Sequence, residues 1–210
     1  MINNRKNWAG NYQYKARNLF QPKTVAEIQE IVSKSKKVKA VGSRHCFNDI
    51  ADCIETHISC ENLNKIVSIN EKNVIIESGL KYGQFCPELD EKGFAIHNLA
   101  SLPHISVVGA SATATHGSGV KNKNLAAVVS EIEFVAGMGE LVTLSRENDG
   151  EKFNGAVVNL GGLGIVTKIT LDTEKSFEVR QDCFQNLALE ELLDNFETIM
   201  SAGYSVSLFT

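Results

Sequence analysis

The segment of residues 106–119 constrains the fold of this chain more than any other part of the sequence. It reads Ser-Val-Val-Gly-Ala-Ser-Ala-Thr-Ala-Thr-His-Gly-Ser-Gly and contains no acidic residue. Small and hydroxyl-bearing side chains let backbone N–H groups approach a ligand closely. The segment therefore predicts a loop suited to an anionic group.

A second loop of this kind is predicted where the apolar strand ending at Val41 runs into Gly42, Ser43, Arg44 and His45. Such a loop offers backbone donors, a hydroxyl and a cation to a pyrophosphate, although taken alone it can also be only a turn. Two separate anion-friendly loops, each with a histidine, indicate an extended ligand that contains a diphosphate.

Apolar periodicity along the rest of the chain predicts a mixed α+β fold. Thr24 begins an S/T-x-x-E capping box, which predicts the start of a helix. The other predicted elements are helices at residues 82–92 and 187–200, strands at 38–41, 127–135, 141–144 and 164–171, a hairpin at 66–79 and a strand-like run at 205–209.

Composition excludes several classes of protein. With 21 Lys and Arg against 25 Asp and Glu, the net charge of −4 argues against nucleic-acid binding through a basic face. No apolar run approaches the ~18 residues of a membrane span, and the first residues lack a signal peptide, so we expect a cytoplasmic protein without a membrane partner. Five cysteines without a CxxC pair suit a reducing compartment, and we interpret most of them as small core residues.

Standard nucleotide and metal motifs are absent from the sequence. Residues 162–164, Gly-Leu-Gly, lack the third glycine of a Rossmann fingerprint, and there is no Gly-Lys-Ser/Thr for a P-loop. Cys46, Cys53, His57 and Cys60 are a conceivable zinc set, but their spacing fits no common zinc pattern. We therefore expect plain packing of these side chains and no metal.

Three histidines, His45, His104 and His116, lie in or beside the predicted anion-binding loops. Each could instead be an ordinary hydrogen-bonded imidazole, the interpretation that we adopt for His57 and His97. The single tryptophan, Trp8, is interpreted as a packing anchor near the N-terminus.

Five collinear segments closely resemble the alditol oxidases, which include xylitol and sorbitol oxidases, within the vanillyl-alcohol oxidase type of FAD enzymes. These segments are residues 7–11, 42–48, 100–106, 114–119 and 204–210. The resemblance implies an FAD-binding domain over residues 1–210 with two α+β lobes, at about 1–78 and 79–210, and the dinucleotide between them. It also implies that a substrate domain follows residue 210.

The same resemblance assigns roles to individual residues. His45 matches the histidine that bonds covalently to the 8α-methyl carbon of the flavin, with neutral imidazole as the nucleophile. Ser101 matches a serine on the reactive face, and Ala100 a position where a small side chain is thought to admit oxygen. The other residues expected to bind FAD are Val41, Gly42, Ser43, Arg44, Cys46, Ser106, Gly109, Thr113, Ala114, Thr115, His116, Gly117, Gly164 and Val166.

At two positions this chain differs from the residues that are usual in the family it resembles. Arg44 stands where a smaller residue is usual and adds a cation beside the phosphates. Cys46 stands where serine is common and forms weaker hydrogen bonds. Neither change removes the nucleophile of His45, so we still expect covalent attachment.

The activity implied by the resemblance is oxidation of the terminal alcohol of a polyol to an aldehyde, with O₂ reduced to H₂O₂. We expect a monomer whose partners are a small polyol and O₂, and we expect this chain alone to be inactive. Two alternatives stay open: a noncatalytic FAD-binding module, and a dehydrogenase that passes electrons to an acceptor other than oxygen. Ala100 favours the oxidase.

Overall fold

The computed structural model describes residues 5–209, so the expectations for residues 1–4 and Thr210 lie outside it. Its strands are β1 (Asn18–Phe20), β2 (Val38–Ala40), β3 (Thr56–Ile58), β4 (Ile66–Ile69), β5 (Asn73–Glu77), β6 (Phe94–Ala95), β7 (Val129–Val135), β8 (Leu141–Ser145), β9 (Ile165–Asp172) and β10 (Glu174–Lys175). Its helices are α1 (Val25–Lys34), α2 (Tyr82–Glu91), α3 (Val107–Ala112), α4 (Arg146–Val157), α5 (Leu189–Asp194) and α6 (Phe196–Met200). The fold is α+β, as predicted.

Two sheets of different kinds organise the described chain. A three-stranded parallel sheet has the order β1-β3-β2, and a five-stranded antiparallel sheet has the order β4-β5-β9-β7-β8. Strands β6 and β10 form a separate antiparallel pair. The chain passes from the first sheet to the second between Ile58 and Ile66, ahead of residue 78, where we placed the lobe boundary.

Helix α1 connects the first two strands of the parallel sheet, and its predicted start is confirmed. The Thr24 hydroxyl accepts a hydrogen bond from the Glu27 N–H at 3.2 Å, which caps the first turn. On its inner face Ile28 and Val32 are fully buried and share a small core with Ile58 of β3. Burial of this apolar face therefore fixes α1 on the sheet.

The predicted hairpin is also confirmed and forms one edge of the larger sheet. The side-chain oxygen of Asn70 accepts hydrogen bonds from the N–H groups of Lys72 and Asn73, which closes the turn between β4 and β5. Helices α2, α3 and α4 contribute buried residues to the core cluster that includes Ile169 and Leu171 of β9. This cluster is the main hydrophobic core of the described chain.

The prediction of one helix over residues 187–200 is wrong. The segment forms the short helices α5 and α6, interrupted at Asn195, and none of their residues is buried. Leu189 and Leu193 are each 66% exposed, so the apolar spacing has no surface to pack against among the described residues. Residues 205–208 form no strand either, contrary to the prediction for the run at 205–209.

Two expectations from composition can be compared with the structure. All five cysteines are free, but only Cys60 is buried and Cys183 is exposed, so assigning most of them to the core was wrong. Across residues 5–209, no helix combines the length and apolar character that crossing a membrane requires.

The junction between the sheets depends on glycine at position 79. A Cβ atom there would overlap the carbonyl oxygen of Cys60 and lie 2.7 Å from that of Leu63. We expect Gly79→Ala to lower the free energy of unfolding by about 1–3 kcal/mol, because backbone must move to admit the methyl group. Urea denaturation of the flavin-free chain measures this loss.

Gly155 in α4 provides the matched control for Gly79. A Cβ atom at Gly155 would meet nothing within 4 Å. Gly155→Ala should therefore leave stability unchanged or raise it by about 0.4–1 kcal/mol, because it restricts the unfolded chain. Equal unfolding midpoints for the two variants would show that the close approach at Gly79 is not limiting.

Candidate functional site

A cleft of about 730 Å³ opens between the two sheets. Ala40 and Ile58 of the parallel sheet line one side, and Gly164 and Val166 at the start of β9 line the other. Its volume is in the range of roughly 300–1,000 Å³ that is typical of small-molecule sites.

Most of the residues predicted to bind a ligand line this one cleft, although they come from distant parts of the sequence. Ala114 and Gly117 are adjacent to the lining residues in sequence but stand outside the lining. The predicted residues that do line it are Val41, Gly42, Ser43, Arg44, His45, Cys46, Ala100, Ser101, Ser106, Gly109, Thr113, Thr115, His116, Gly164 and Val166.

The two predicted anion-binding loops meet at Ser106, the residue that precedes α3. The backbone N–H of Ser106 donates a hydrogen bond to the Ser43 hydroxyl at 3.2 Å. A Cβ atom at Gly42 would lie 2.5 Å from the Ser106 hydroxyl oxygen, and one at Gly109 would lie 2.6 Å from it. Gly42 therefore allows the first loop to approach Ser106 closely, and Gly109 leaves room for the Ser106 hydroxyl within its own segment. Because neither glycine has a side chain, backbone stays accessible at the cleft wall.

The end of α3 turns the hydroxyl-rich segment towards the cleft. The Thr113 hydroxyl donates to the carbonyl of Gly109 at 3.0 Å, and the Thr115 N–H donates to the carbonyl of Ala110 at 2.9 Å. Ala114, between the two threonines, has a left-handed backbone with a φ of 51°. Ala114 thus shapes the turn that places its neighbours in the cleft.

Gly117 has a different role from the other glycines of the predicted site. A Cβ atom there would lie 2.6 Å from the side-chain oxygen of Asn98 and 2.8 Å from the carbonyl oxygen of Leu99. The geometry therefore explains this glycine by packing between two loops, away from the cleft.

The loop that carries His45 leaves β2 through a left-handed residue. The Val41 N–H still pairs with the Ile58 carbonyl at 2.9 Å, after which the backbone turns at Arg44 with a φ of 61°. This conformation is unfavourable for a residue with a Cβ atom by about 1–2 kcal/mol. The Trp8 N–H donates to the Arg44 carbonyl at 2.8 Å and helps to hold the turn.

The imidazole of His45 lies in a cluster of aromatic rings. The Trp8 ring stacks on it with a centroid distance of 4.5 Å and an interplanar angle of 21°, and the His104 ring lies 5.4 Å away. The Nε2 atom of His45 is buried and has no hydrogen-bond partner among residues 5–209. A buried polar atom without a hydrogen-bond partner is energetically costly, and the hydroxyls of Tyr14 and Ser78 at the same cleft share this feature.

Ala100, Ser101 and His104 form one part of the cleft wall. Ser101 and His104 are exposed, whereas Ala100 is half-buried. The hydroxyl of Ser101 and the imidazole of His104 are therefore open to a molecule entering the cleft.

Asn159, Leu160 and Gly161 also line the cleft but were absent from the predicted site. Lys39, a further unpredicted lining residue, donates from its ammonium group to the carbonyl of Ile50. The glycine-rich run at residues 161–164 could have indicated these residues, but from it we assigned only Gly164 to the site.

A partly buried polar network lies beside the His45 loop. The Tyr12 hydroxyl donates to the Asp52 carboxylate at 2.7 Å, and the Lys15 N–H donates to the same group at 3.1 Å. The Nε2 atom of His57 lies 3.4 Å from Asp52, with both side chains almost fully buried. The loop of Asp52 is thereby fixed to both the N-terminal segment and β3.

This network shifts the pKa of each of its members. The hydrogen bond to Asp52, followed by burial, raises the pKa of Tyr12 to about 12. Burial opposes ionisation of Asp52, but hydrogen bonds from Tyr12 and from the N–H groups of Lys15 and Cys53 lower its pKa overall. Burial lowers the pKa of His57, and the charge of Asp52 opposes the shift without reversing it.

The lowered pKa of His57 predicts a pH-dependent stability. The folded chain keeps His57 neutral, whereas the unfolded chain takes up a proton near pH 6.5, so stability falls as the pH drops through about 6.5. His57→Gln should reduce this fall, which urea denaturation at pH 8 and pH 5 measures. The exposed Cys183→Ser should retain the wild-type slope, and an equally steep slope in His57→Gln would contradict the prediction.

No group of three or more His, Cys, Asp or Glu side chains in the described part of the chain is arranged to hold a metal ion. The conceivable zinc set is not among such groups. His57 instead lies beside Asp52 and packs edge-on against the Tyr14 ring at 5.4 Å.

Comparisons with known proteins agree with this geometry. A family described as "FAD binding domain" matches residues 16–145. An alditol oxidase from a Streptomyces species is 42% identical over 209 residues, which are 97% of this chain and 49% of that protein. A D-arabinono-1,4-lactone oxidase from Kluyveromyces lactis is 34% identical over 94% of this chain and 39% of its own length.

An L-gulono-1,4-lactone dehydrogenase from Mycobacterium tuberculosis is 32% identical over 90% of this chain and 46% of that protein. The chain thus spans less than half the length of the curated relatives it matches. The family match covers more than half of this chain and includes the His45 and Ser106 loops. The resemblance found in the sequence is therefore confirmed, and the chain belongs to the FAD binding domain family.

Proposed function

We propose that this chain binds FAD in the cleft and serves as the FAD-binding domain of an oxidase that converts the terminal alcohol of a polyol to an aldehyde. The observation that carries the proposal is the convergence of three sequence segments, residues 41–46, 100–109 and 113–116, on one cleft. The family supports FAD as the ligand, and the alditol oxidase similarity supports a polyol as the substrate.

The residues at the cleft fit FAD by shape and by chemistry. Gly42 and Gly109 line the cleft without side chains of their own, so a diphosphate can approach the backbone there. Arg44 and Lys39 line the same cleft and supply positive charge to the phosphates. The partnerless Nε2 atom of His45 provides a nucleophilic nitrogen at the cleft wall.

Each part of the cleft has a role in this proposal. Residues 41–45 and 106–116 hold the pyrophosphate, and Gly164 and Val166 contact the adenosine side. His45 bonds to the 8α-methyl carbon of the flavin. In the finer architecture that we propose, the two sheets belong to two lobes of the vanillyl-alcohol oxidase type, with FAD between them.

When bound, FAD supplies the redox chemistry by accepting hydride from the alcohol carbon and passing two electrons to O₂, so that alcohol and O₂ yield aldehyde and H₂O₂. The chain contributes binding and orientation. The exposed hydroxyl of Ser101 can hydrogen-bond the substrate hydroxyl, and the short side chain of Ala100 leaves room for O₂.

The complete activity belongs to a longer protein in this proposal. Since the relatives are about twice as long as the matched region, we propose that a substrate domain closes the cleft and provides the groups that activate the alcohol. Two other functions remain as alternatives: a noncatalytic FAD-binding module, and a dehydrogenase, which the name of the mycobacterial relative favours.

Covalent attachment gives the first test of the proposal. Wild-type chain loaded with FAD should keep flavin absorbance in the acid-precipitated pellet, whereas His45→Ala should lose it, because only His45 combines a buried partnerless nitrogen with the attachment loop. His104→Ala, which changes a neighbouring ring in the same cleft, should retain flavin in the pellet. Acid-stable flavin in His45→Ala would show that the assignment is wrong.

Alcohol turnover gives the second test. We expect no peroxide release from xylitol or sorbitol with this chain alone, and release with a chain extended to the length of its relatives. Loss of an oriented reacting pair can remove ~7–11 kcal/mol of barrier lowering, so the difference should span several powers of ten. Comparable rates would place the whole active site within these residues.

The electron acceptor separates the remaining alternatives. The longer chain should reduce O₂ in the presence of polyol. Turnover only with an artificial dye acceptor would identify a dehydrogenase. No turnover with either acceptor, together with stable FAD binding, would identify a noncatalytic module.

A further inference from the structure

The N-terminal segment holds the two backbone carbonyls that flank His45. The Trp8 N–H donates to the carbonyl of Arg44 at 2.8 Å, and the side-chain amide of Asn7 donates to the carbonyl of Cys46 at 2.9 Å. Two consecutive residues at the start of the described chain therefore hold both neighbours of the proposed attachment residue.

Asn7 is built into this contact rather than placed on the surface. It is 3% exposed, and its side chain also donates to Asn11 at 2.7 Å and accepts from the Tyr12 N–H at 3.0 Å. A buried amide with these bonds has one preferred orientation. It therefore fixes the position of residue 8 relative to the His45 loop.

The contact between Trp8 and His45 differs from ordinary core packing. Trp8 is 59% exposed, so burial of its surface contributes little to the fold compared with a core aromatic residue. Its ring nevertheless stacks on His45 at 4.5 Å and lies 6.1 Å from His104. The indole therefore limits the orientations that the His45 imidazole can adopt.

We propose that Trp8 is a positioning residue for His45: its stacked ring holds the imidazole in the orientation from which Nε2 bonds to the flavin, and Asn7 holds Trp8 in place. The proposal rests on the covalent attachment proposed above and goes beyond it by naming what orients the nucleophile. It corrects the interpretation of Trp8 as a packing anchor.

The attachment step that Trp8 assists is an oxidation with O₂ as the oxidant. One N–C bond forms between His45 and the methyl carbon, one methyl C–H bond breaks, and the imidazole loses its ring proton. The two electrons pass through the flavin to O₂, which takes up both protons and becomes H₂O₂. Because the nucleophile must meet one carbon atom, the rate of this step depends on the angle of the imidazole.

The test compares Trp8→Leu, which removes the flat ring, with Trp8→Phe, which keeps one. The full 210-residue chain, prepared without flavin, is mixed with saturating FAD in air, and acid-stable flavin is measured over time. We expect Trp8→Leu to slow covalent incorporation by about tenfold to 100-fold, the effect of misplacing a reacting group by about 1 Å. Trp8→Phe should recover most of the wild-type rate.

Two further measurements separate positioning from a structural or cofactor-binding role. In the His45→Ala background, Trp8→Leu should leave the Kd for FAD and the Tm unchanged. In the flavin-free chain, Trp8→Leu should shift the NMR signals of the His45 ring protons, because the indole no longer lies against that ring. Weaker FAD binding or a lower Tm that accounts for the slower incorporation would overturn the proposal.

The outcomes also distinguish this proposal from the one on which it rests. If wild-type chain forms no acid-stable flavin, the attachment at His45 fails, and the role of Trp8 fails with it. If wild-type chain forms it and Trp8→Leu does so at the same rate, only the role of Trp8 is overturned.

Discussion

The close contact of two loops at Ser106 is the constraint on which the rest of the cleft depends. Gly42 follows the parallel sheet and Gly109 lies in α3, and neither can carry a Cβ atom without displacing the Ser106 hydroxyl. The Ser106 N–H is bonded to Ser43, so the backbone at this contact is fixed from both sides. A side chain at Gly42 would press the first loop away from Ser106, and a side chain at either glycine would cover backbone at the cleft wall. The geometry thus accounts for glycine at these two positions.

Two further close approaches shape the other wall of the cleft, one where the chain passes between the sheets and one inside the larger sheet. Gly79 packs against carbonyls of the chain that leaves the parallel sheet, and a Cβ atom at Gly164 would overlap the carbonyl oxygen of Val135 at the end of the neighbouring strand β7. Gly164 also has a φ of 142°, which a side chain would strain. Both glycines line the cleft. The features that assemble the fold and those that shape the site are therefore partly the same residues.

Sequence patterns predicted the helices and strands that capping residues or turn residues determine locally. The Thr24 cap predicted α1, and the polar turn at residues 70–73 within the 66–79 run predicted the β4–β5 hairpin. β3 was missed because its three residues carry no pattern, and its burial comes from pairing with strands on both sides. The apolar spacing of residues 187–200 predicted one helix, but no described surface covers that face. Residues of the cleft were predictable through family resemblance, whereas the stacking of Trp8 on His45 joins distant positions that no local pattern connects.

The loop around His45 contains an unfavourable backbone conformation that hydrogen bonds from the N-terminal segment hold in place. Arg44 has a left-handed conformation, and such residues persist only where the surroundings determine them. Those surroundings are the hydrogen bonds from Asn7 and Trp8, because they fix the carbonyls on both sides of His45. Since both bonds come from the protein itself, the turn does not need a ligand to form. The His45 loop is thus organised without a ligand, and under the proposed function this lowers the ordering cost of binding at the place where covalent attachment would demand accurate geometry.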